Sequence, residues 1–339
     1  MADLPYIVCS GDARERGLAH GQQLKDRIHS SYQFYEQAIF HNSALSTEQI
    51  RQRADQVVGL IDEFDNQFTI EIEAIAEAAE IDAWKIYLLN ARTEILNAPI
   101  AECTSLYFQD SALQGQTWDW IRELEELIVI MHYEFEDGRY IITLTEPGML
   151  AKIGLNNSGL GVSLNFLASD NELDGVPVHI LLRALLQCAD LEQARKKIAG
   201  SGMGKSSHFL VGDANGQCFG MEFAEGKCSE LAATNGVLVH TNHCIGRSIE
   251  SAILSTSAER LSCAQRHLRA SDGFDREQME KILLDDSKGN DSIQASYHAE
   301  EALGGLDVGT CATVIMDLPM RRFYAQKGPT NRSRFQLYQ

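Results

Sequence analysis

The stretch AECTSLYFQDSALQGQTWDW, residues 101–120, is the point at which the periodicity of the chain changes. Before it, apolar residues recur every three to four positions, as at Phe68 and Ile72, which is typical of an amphipathic helix. From Cys103 onwards, β-branched and aromatic residues form short runs separated by turn residues, which indicates paired strands. The stretch therefore predicts a β-hairpin with a thiol at the front of its first strand and a carboxylate, Asp119, at the end of its second.

Outward from this hairpin, runs of strands are interrupted by pairs of helices. The predicted helices lie at 12–98, 176–188, 191–200, 258–270 and 276–284. The predicted strands and hairpins lie at 127–135, 139–145, 150–166, 207–223, 235–243 and 311–328. Segment 287–309 has no clear period and is predicted to be a mobile loop. Because βαβα alternation is missing, the pattern favours an α+β protein in which helices cover antiparallel sheets.

Composition limits the class of protein. The 339 residues are 44% hydrophobic, which is enough for a large core in one big domain or two smaller ones. Lys and Arg total 29 against 48 Asp and Glu, and the net charge of −19 would repel a nucleic acid. The sequence shows no signal-peptide pattern and no window approaching the ~18 apolar residues of a membrane span. We therefore expect a cytoplasmic protein with no nucleic-acid partner and no membrane partner.

Cysteine spacing argues against two structural uses of the thiols. The chain has eight cysteines and no CxxC pair, so neither a disulfide scaffold nor a structural zinc site is expected. Most of them are predicted to be small buried hydrophobic residues. The eight are Cys9, Cys103, Cys188, Cys218, Cys228, Cys244, Cys263 and Cys311.

A nucleophilic cysteine needs a group nearby that accepts its proton. The run VHTNHC, which holds His240, His243 and Cys244, brings two imidazoles, an amide and a thiol within five residues. It allows a Cys/His catalytic pair, a metal-dependent hydrolase, or simply a buried strand that ends in a polar turn. The metal alternative lacks a second cluster to complete tetrahedral coordination, so no metal is expected.

Five blocks along the chain carry a resemblance to a known family. They are CTSLYF, GQTWDW, GVPVHILLRALL, FLVGDANGQCFGMEF and HTNHC, in that order. The chain resembles the acyl-coenzyme A:6-aminopenicillanic acid acyltransferase (isopenicillin N acyltransferase) family of N-terminal-nucleophile (Ntn) cysteine hydrolases. The segments IVCSGDARERGLAHGQQLKD, LNARTE and VIMDLPMRR are similar to that family as well. The resemblance implies an αββα four-layer sandwich, two stacked antiparallel sheets flanked by helices.

The resemblance also implies that the precursor cuts itself between Glu102 and Cys103. Residues 1–102 would then be a helical pro-segment that stays bound as a partner to the catalytic fragment 103–339, the two together forming one compact domain. Once freed, the α-amino group of Cys103 has a reference pKa of about 7.7–8.0 and can act as the base for its own thiol, without a cofactor.

The other roles follow from matches to the motifs of the family. Asp119 is expected to orient the amine or thiol of Cys103, unless it only ends a strand. The NH₂ group of Asn242 is expected to donate to the developing oxyanion, unless it only fixes a turn. Asn165 lies where related hydrolases have a second asparagine in the site.

Roles in substrate contact or in processing are expected for four further residues. Trp118, Phe166 and His243 are expected to contact the substrate or the oxyanion, although aromatic residues on strands are more often part of a core. Arg92, in LNARTE, is expected either to anchor the precursor near the cut or to form an ion pair on a helix surface.

Two positions depart from the pattern of the family. Glu102 replaces the glycine that usually precedes the nucleophile, and Asp307 stands where the fungal enzymes carry an arginine. The expected function is a self-processing enzyme that cleaves or transfers the acyl group of a small-molecule amide through a thioester on Cys103. The alternative is an unprocessed relative that acts as a small-molecule binding protein or as a regulatory protein. Phenylacyl amides, acylated amino acids, β-alanyl amines and peptides are all open as substrates.

Overall fold

The fold is an α+β sandwich in a computed structural model. The described residues are 4–40, 45–96, 103–167, 175–202, 204–246, 255–271, 273–329 and 334–339. Within them, two β-sheets pack face to face and helices cover both outer faces. This confirms the four-layer αββα arrangement expected from the sequence. In these same ranges, every helix is too short or too polar to cross a bilayer.

The helices fall into one long group before the quoted hairpin and two later pairs, as predicted. They are α1 (Ala13–Phe34), α2 (Thr47–Phe64), α3 (Asn66–Ala79), α4 (Ala83–Asn90), α5 (Arg92–Leu96), α6 (Val178–Leu186), α7 (Leu191–Ala199), α8 (Ser255–Arg269) and α9 (Arg276–Leu283). A π-helical segment, Tyr35–Phe40, continues α1. Helix α1 begins at a capping box, in which Asp12 and Glu15 each bond the other's backbone N–H.

The observed strands match the predicted hairpins, and several further short strands are present. They are β1 (Tyr6–Ser10), β2 (Cys103–Phe108), β3 (Leu113–Ile121), β4 (Val129–Glu134), β5 (Tyr140–Thr145), β6 (Ile153–Asn156), β7 (Leu160–Phe166), β8 (Ser207–Asp213), β9 (Cys218–Ala224), β10 (Lys227–Leu231), β11 (Val237–His240), β12 (His298–Glu300), β13 (Leu306–Asp317), β14 (Arg322–Lys327) and β15 (Gln336–Tyr338).

The first sheet has the strand order β1-β4-β5-β6-β7-β8-β9-β10. Strand β1 runs parallel to β4, whereas the other neighbours in this sheet are antiparallel. This sheet is therefore antiparallel, as expected, except at this edge. Strand β1 was not predicted, because YIVCS is too short to show a period and its partner lies more than a hundred residues away. The segment before the proposed cut thus contributes a strand to the sheet as well as helices.

The second sheet has the order β11-β2-β3-β13-β14-β15, with β12 also paired to β13. The quoted stretch forms the predicted hairpin, in which Cys103 of β2 lies opposite Trp118 of β3. The prediction that 287–309 is a loop was wrong in part, because β12 and the first residues of β13 pair with each other there. A three-residue strand carries no readable alternation, which explains the error.

Polar side chains join the two sheets across their inner faces. Gln114 of β3 donates to the hydroxyl of Ser163 on β7 at 2.9 Å, and Ser105 of β2 donates to Asn165 Oδ1 on the same strand at 2.6 Å. Gln116 bonds both backbone groups of Leu164. Since buried polar groups need partners, these bonds fix the register in which β2 and β3 face β7.

Helices α6 and α7 cover the first sheet, and α8 and α9 cover the second. Gly115 on β3 allows α9 to lie close, because a Cβ built there would stand 2.6 Å from a methyl carbon of Leu283. All eight cysteines lie within the described ranges, and none forms a disulfide. Five of them are buried, as expected from their spacing.

Candidate active site

Cys103 stands at the first position of β2, and side chains from three other elements hold its backbone. Its N–H donates to Asn242 Oδ1 at 2.8 Å, just beyond the end of β11. Its carbonyl oxygen accepts from Asn165 Nδ2 at 3.1 Å and from Arg260 Nη1 at 2.8 Å. The structure thus brings Cys103 together with both asparagines predicted from the sequence. Glu102, and with it the bond before Cys103, lies outside the described residues.

Arg260, on α8, was missed by the sequence analysis. It is fully buried, and its guanidinium also donates to Asn242 Oδ1 at 2.8 Å and to Thr104 Oγ1 at 3.0 Å. In an amphipathic helix with many charged residues, an arginine normally points to solvent, so no local pattern distinguishes Arg260 as buried. The planar fork of donors lets one side chain hold the carbonyl of Cys103 and the amide of Asn242 at the same time.

Asp119 lies one residue beyond the strand position opposite Cys103. It is buried and accepts a hydrogen bond of 2.6 Å from Thr310 Oγ1, the residue opposite it on β13. The backbone N–H of Ala295 donates to the same hydroxyl at 2.9 Å. Thr310 therefore fixes the orientation of this carboxylate.

The thiol of Cys103 is in an environment that keeps it protonated. Burial raises its pKa to about 12, with a further contribution from the negative charge of Asp119. Lys152, a hydrogen bond with Gln116 and Arg260 act in the opposite sense. A nucleophile in this position therefore needs a nearby group that takes its proton.

Lys152, just before β6, was also missed. It is buried, its Nζ lies 2.9 Å from Glu146 Oε1, and it stands 3.4 Å from the centre of the Trp118 ring. It is close enough to Cys103 for each group to shift the pKa of the other. Burial lowers the pKa of Lys152 to about 8; the Glu146 carboxylate opposes this and the Arg92 charge adds to it. The apolar residues on both sides of it in MLAKIGL were the signal that this lysine is buried.

Arg92 is not on a helix surface, so that expectation was wrong. It begins α5, is buried, and pairs with Glu146 Oε1 at 2.7 Å. Tyr35 donates to the other oxygen of Glu146 at 2.6 Å. Glu146 is 54 positions away in sequence, which is why a local motif could not reveal the pair. Arg92, Tyr35, Glu146 and Lys152, which we call the buried charge cluster, connect the N-terminal helices to the surroundings of Cys103.

Comparison with known proteins identifies the family. The profile of the family described as acyl-coenzyme A:6-aminopenicillanic acid acyl-transferase matches residues 108–328. The chain is also 30% identical over 248 residues to the 40 kDa form of acyl-coenzyme A:6-aminopenicillanic-acid-acyltransferase from Emericella nidulans. That match covers 71% of this chain and 69% of the fungal protein. The chain belongs to the acyl-coenzyme A:6-aminopenicillanic acid acyltransferase family.

Solved structures related to this family member are more distant in sequence. One is the Caenorhabditis elegans orthologue of N-acylethanolamine-hydrolyzing acid amidase, with a TM-score of 0.49 and 16% identity, covering 64% of this chain and 93% of the other. Another is a mutant of conjugated bile acid hydrolase from Clostridium perfringens, with a TM-score of 0.45 and 13% identity, covering 71% of this chain and 97% of the other.

The two imidazoles of the HTNH block have structural partners in this family member. His240 Nε2 lies 2.8 Å from Glu222 Oε1, and the His240 ring stacks on His208 with centroids 3.6 Å apart. His208 Nδ1 in turn lies 3.0 Å from Asn165 Oδ1. Within the part of the chain that the structure describes, His240, His243 and Cys244 do not gather their ligand atoms into a metal-binding group. The metal-hydrolase alternative based on VHTNHC is therefore not supported.

His243 is connected to Asn242 through the hydroxyl of Ser257. Its Nδ1 lies 2.7 Å from Ser257 Oγ, and the backbone N–H of Asn242 donates to the same oxygen at 2.7 Å. Burial, with the nearby charges of His240 and Arg260, lowers the pKa of His243. These contacts make His243 a residue that positions Asn242.

The two aromatic candidates differ in exposure. Trp118 is buried, with Lys152 over its ring, whereas Phe166 is only half-buried. The carbonyl of Phe166 accepts a hydrogen bond of 2.9 Å from Asn242 Nδ2. Of these two aromatic side chains, Phe166 is therefore the one with accessible surface.

Asp307, the second position expected to depart from the pattern of the family, lies near the start of β13. It pairs with Arg122 at 3.4 Å, and both side chains are 40% exposed or more. A surface ion pair of this kind contributes little to stability.

Proposed function

We propose that this family member is a self-processing Ntn cysteine amidohydrolase or acyltransferase that acts on a small-molecule amide through a thioester on Cys103. The observation that carries the proposal is the hydrogen bond of 2.8 Å from the nitrogen of Cys103 to Asn242 Oδ1. That contact would hold the nitrogen of the nucleophile where, after cleavage, it serves as the α-amine. Membership of the acyltransferase family supports the class of reaction.

In the uncut chain the nitrogen of Cys103 is an amide and cannot take the thiol proton, so cleavage needs another base. We assign this role to Lys152. The amine and the thiol are close enough to influence each other's pKa, and the amine shares the Glu146 carboxylate with Arg92, whose guanidinium stays charged. Of the two cations, Lys152 is therefore the one that can give up its proton and accept another.

The proposed cleavage proceeds by an acyl shift followed by hydrolysis. Sγ of Cys103 adds to the preceding carbonyl carbon while the thiol proton passes to Lys152. The C–N bond then breaks and the nitrogen of Cys103 takes up that proton, which leaves a thioester. Water adds to the thioester carbon, the C–S bond breaks, residue 102 leaves as a carboxylic acid and Sγ regains a proton. Fragment 1–102 stays bound through the buried charge cluster, in which Arg92 of one fragment meets Glu146 of the other.

Removing the amine of Lys152 should slow self-cleavage. We expect Lys152→Met to lower the rate by about 100-fold or more, since general base catalysis contributes typically 10²–10⁴-fold. The wild-type rate should rise as the pH is raised through about 8, because Lys152 is protonated below that pH and cannot accept the thiol proton. The measurement is the appearance of the two fragments on gels after synthesis in a cell-free system at several pH values.

Two variants test whether Lys152 acts as a base or only supplies a positive charge. Lys152→Arg keeps a cation beside Glu146 but cannot act as a base at these pH values, so it should also cut slowly. The exposed Lys281→Met should cut at the wild-type rate. Wild-type cleavage by Lys152→Arg would show that another group takes the thiol proton.

For turnover we propose that the freed α-amine of Cys103 accepts the thiol proton. Sγ then attacks the amide carbon of the substrate, and the NH₂ group of Asn242, which carries two N–H donors, stabilises the oxyanion. The C–N bond breaks, the amine leaves with the proton held by the α-amine, and an acyl thioester remains. Water or an acceptor amine then attacks this carbon, and Sγ leaves to regain its proton. Phe166, half-buried beside Asn242, would face the acyl group.

An activated ester tests the proposal directly. We expect p-nitrophenyl phenylacetate to release a burst of about one equivalent of p-nitrophenol per chain, because acylation precedes a slower hydrolysis. Mass spectrometry of a quenched digest should place the acyl group on the peptide that begins at Cys103. Acylation of a different residue, or an uncut chain that binds the ester without a burst, would contradict the proposal and favour the binding protein considered from the sequence.

A further inference from the structure

Three side chains that the proposed reaction does not use meet on the outer face of the second sheet. Cys263 and His267 are four residues apart on α8 and therefore share one face of the helix. Asp285 follows α9 and comes up to the same face. The Cys263 sulfur, a His267 ring nitrogen and an Asp285 carboxylate oxygen all lie within 4.8 Å of one another.

The carboxylate is already oriented towards the other two groups. Asp285 Oδ2 lies 2.8 Å from His267 Nε2. Its other oxygen, Oδ1, accepts hydrogen bonds from the hydroxyl of Ser287 at 2.8 Å and from the backbone N–H of Ser287 at 3.3 Å. Such partners behind a carboxylate are typical of ligands whose direction must be fixed.

The cluster is closed on the protein side and open on the solvent side. Cys263 is buried among apolar residues of α8, α9 and the second sheet, while the side chain of His267 is 32% exposed and that of Asp285 is 10% exposed. A small ion can therefore enter past the imidazole. Arg266, the cation next to Cys263, is about half exposed and pairs with Glu259 at 3.5 Å, so its charge lies towards solvent.

A bound ion would draw the proton from the thiol of Cys263 and add a strong attraction to the carboxylate of Asp285.

We propose that Cys263, His267 and Asp285 bind one divalent transition-metal ion of the zinc class. Thiolate, imidazole and carboxylate together are ligands that zinc prefers, whereas calcium and magnesium require oxygen ligands throughout. Zn–S bonds of ~2.3 Å and Zn–N and Zn–O bonds of ~2.0 Å separate tetrahedral ligand atoms by roughly 3.3–3.5 Å. The ligand atoms of the cluster, which lie within 4.8 Å of one another, reach this spacing by side-chain rearrangement. Water would fill the fourth position, and the thiol proton would pass to solvent.

Such an ion would stabilise the position of α8, the helix that carries Arg260 of the candidate active site. Arg260 lies one helical turn before Cys263 on α8 and donates to the carbonyl oxygen of Cys103. An ion that ties α8 to the segment after α9 would limit movement of α8, and so hold Arg260 in place. The inference does not depend on self-cleavage, since all three ligands lie in one segment, 263–285.

The test uses the full chain carrying Cys103→Ala, which removes the thiol of the candidate active site and leaves a single uncut polypeptide. After chelator treatment and dialysis, we expect one equivalent of Zn²⁺ to bind in competition with a chromophoric chelator. Co²⁺ should give visible bands of tetrahedral intensity together with a sulfur-to-cobalt charge-transfer band. Zinc should also raise the melting temperature of the chain, because the ion binds the folded state.

Matched variants in the same background locate the site. Cys263→Ser should abolish the charge-transfer band and weaken Zn²⁺ binding by more than about 100-fold, and Asp285→Asn should also weaken it, while keeping the side-chain size. Cys228→Ser, which changes an exposed cysteine on β10, should bind as the parent does. Circular dichroism of the metal-free variants checks that they are folded. Absence of binding, a Co²⁺ spectrum without the sulfur band, or binding unchanged in Cys263→Ser would each overturn the proposal.

Discussion

Replacing Cys103 by alanine is expected to leave the chain in one piece and to lower amide turnover by about 10,000-fold or more. In the proposed mechanism the same sulfur attacks the chain in self-cleavage and the substrate in turnover, so that both reactions would lose their nucleophile. The remaining contacts to the backbone of Cys103, from Asn242, Asn165 and Arg260, do not depend on its side chain. The fold should therefore survive, and the loss should be one of chemistry.

The control for this variant is another buried cysteine. Cys188→Ala removes a thiol near the C-terminal end of α6, away from the site, and should cut and turn over as the wild type does. Cleavage is followed by intact mass and amide turnover by release of p-nitroaniline from phenylacetyl-p-nitroanilide. If Cys103→Ala still cuts at the same place, or keeps wild-type turnover, Cys103 is not the nucleophile.

Replacing Asn242 by alanine is expected to lower kcat by about 100- to 1,000-fold, equivalent to about 2.7–4 kcal/mol of transition-state stabilisation. The effect should fall on kcat more than on KM, because the proposed donor acts only when charge develops on the oxygen. The amide oxygen of Asn242 also accepts from the nitrogen of Cys103 and from Arg260, so alanine removes a positioning contact as well.

Asn242→Asp separates these two roles. It keeps an oxygen for the nitrogen of Cys103 and for Arg260 but removes the NH₂ donor. Turnover should fall in both variants, whereas self-cleavage should suffer more in Asn242→Ala. Asn215, in the exposed turn between β8 and β9, provides the control, since Asn215→Ala should leave kcat unchanged. A KM effect without a kcat effect in Asn242→Ala would mean that Asn242 binds the substrate and does not stabilise the transition state.

The sequence was sufficient to predict the layers of the fold and to single out Cys103 as the central residue of the candidate site. The change of period at Cys103 marks the start of β2, and the turn DANG marks the hairpin of β8 and β9, because turn residues and alternation are local signals. The register of the β2–β3 hairpin then places Trp118 opposite Cys103 and Asp119 one residue further along β3.

The site residues that the sequence did not reveal lie far from Cys103 along the chain. Lys152 and Arg260 reach Cys103 from elements that have no motif of their own, and each is a cation whose usual place is the surface. Only the packing of the sheets on each other and of α8 on the second sheet brings them inside. The buried partner of Arg92 and the pairing of β1 were hidden for the same reason, since both depend on contacts between distant segments. The cytoplasmic location stays a prediction.

The measurement that tests the central claim most directly is the intact mass of the denatured wild-type protein. We predict two polypeptides, residues 1–102 and residues 103–339, the second beginning with an unmodified Cys103 and its free α-amine. The two should co-purify before denaturation, because β1 and the buried charge cluster bind them together. A single chain of 339 residues that nevertheless turns over an amide would contradict the claim that Cys103 works as an N-terminal nucleophile.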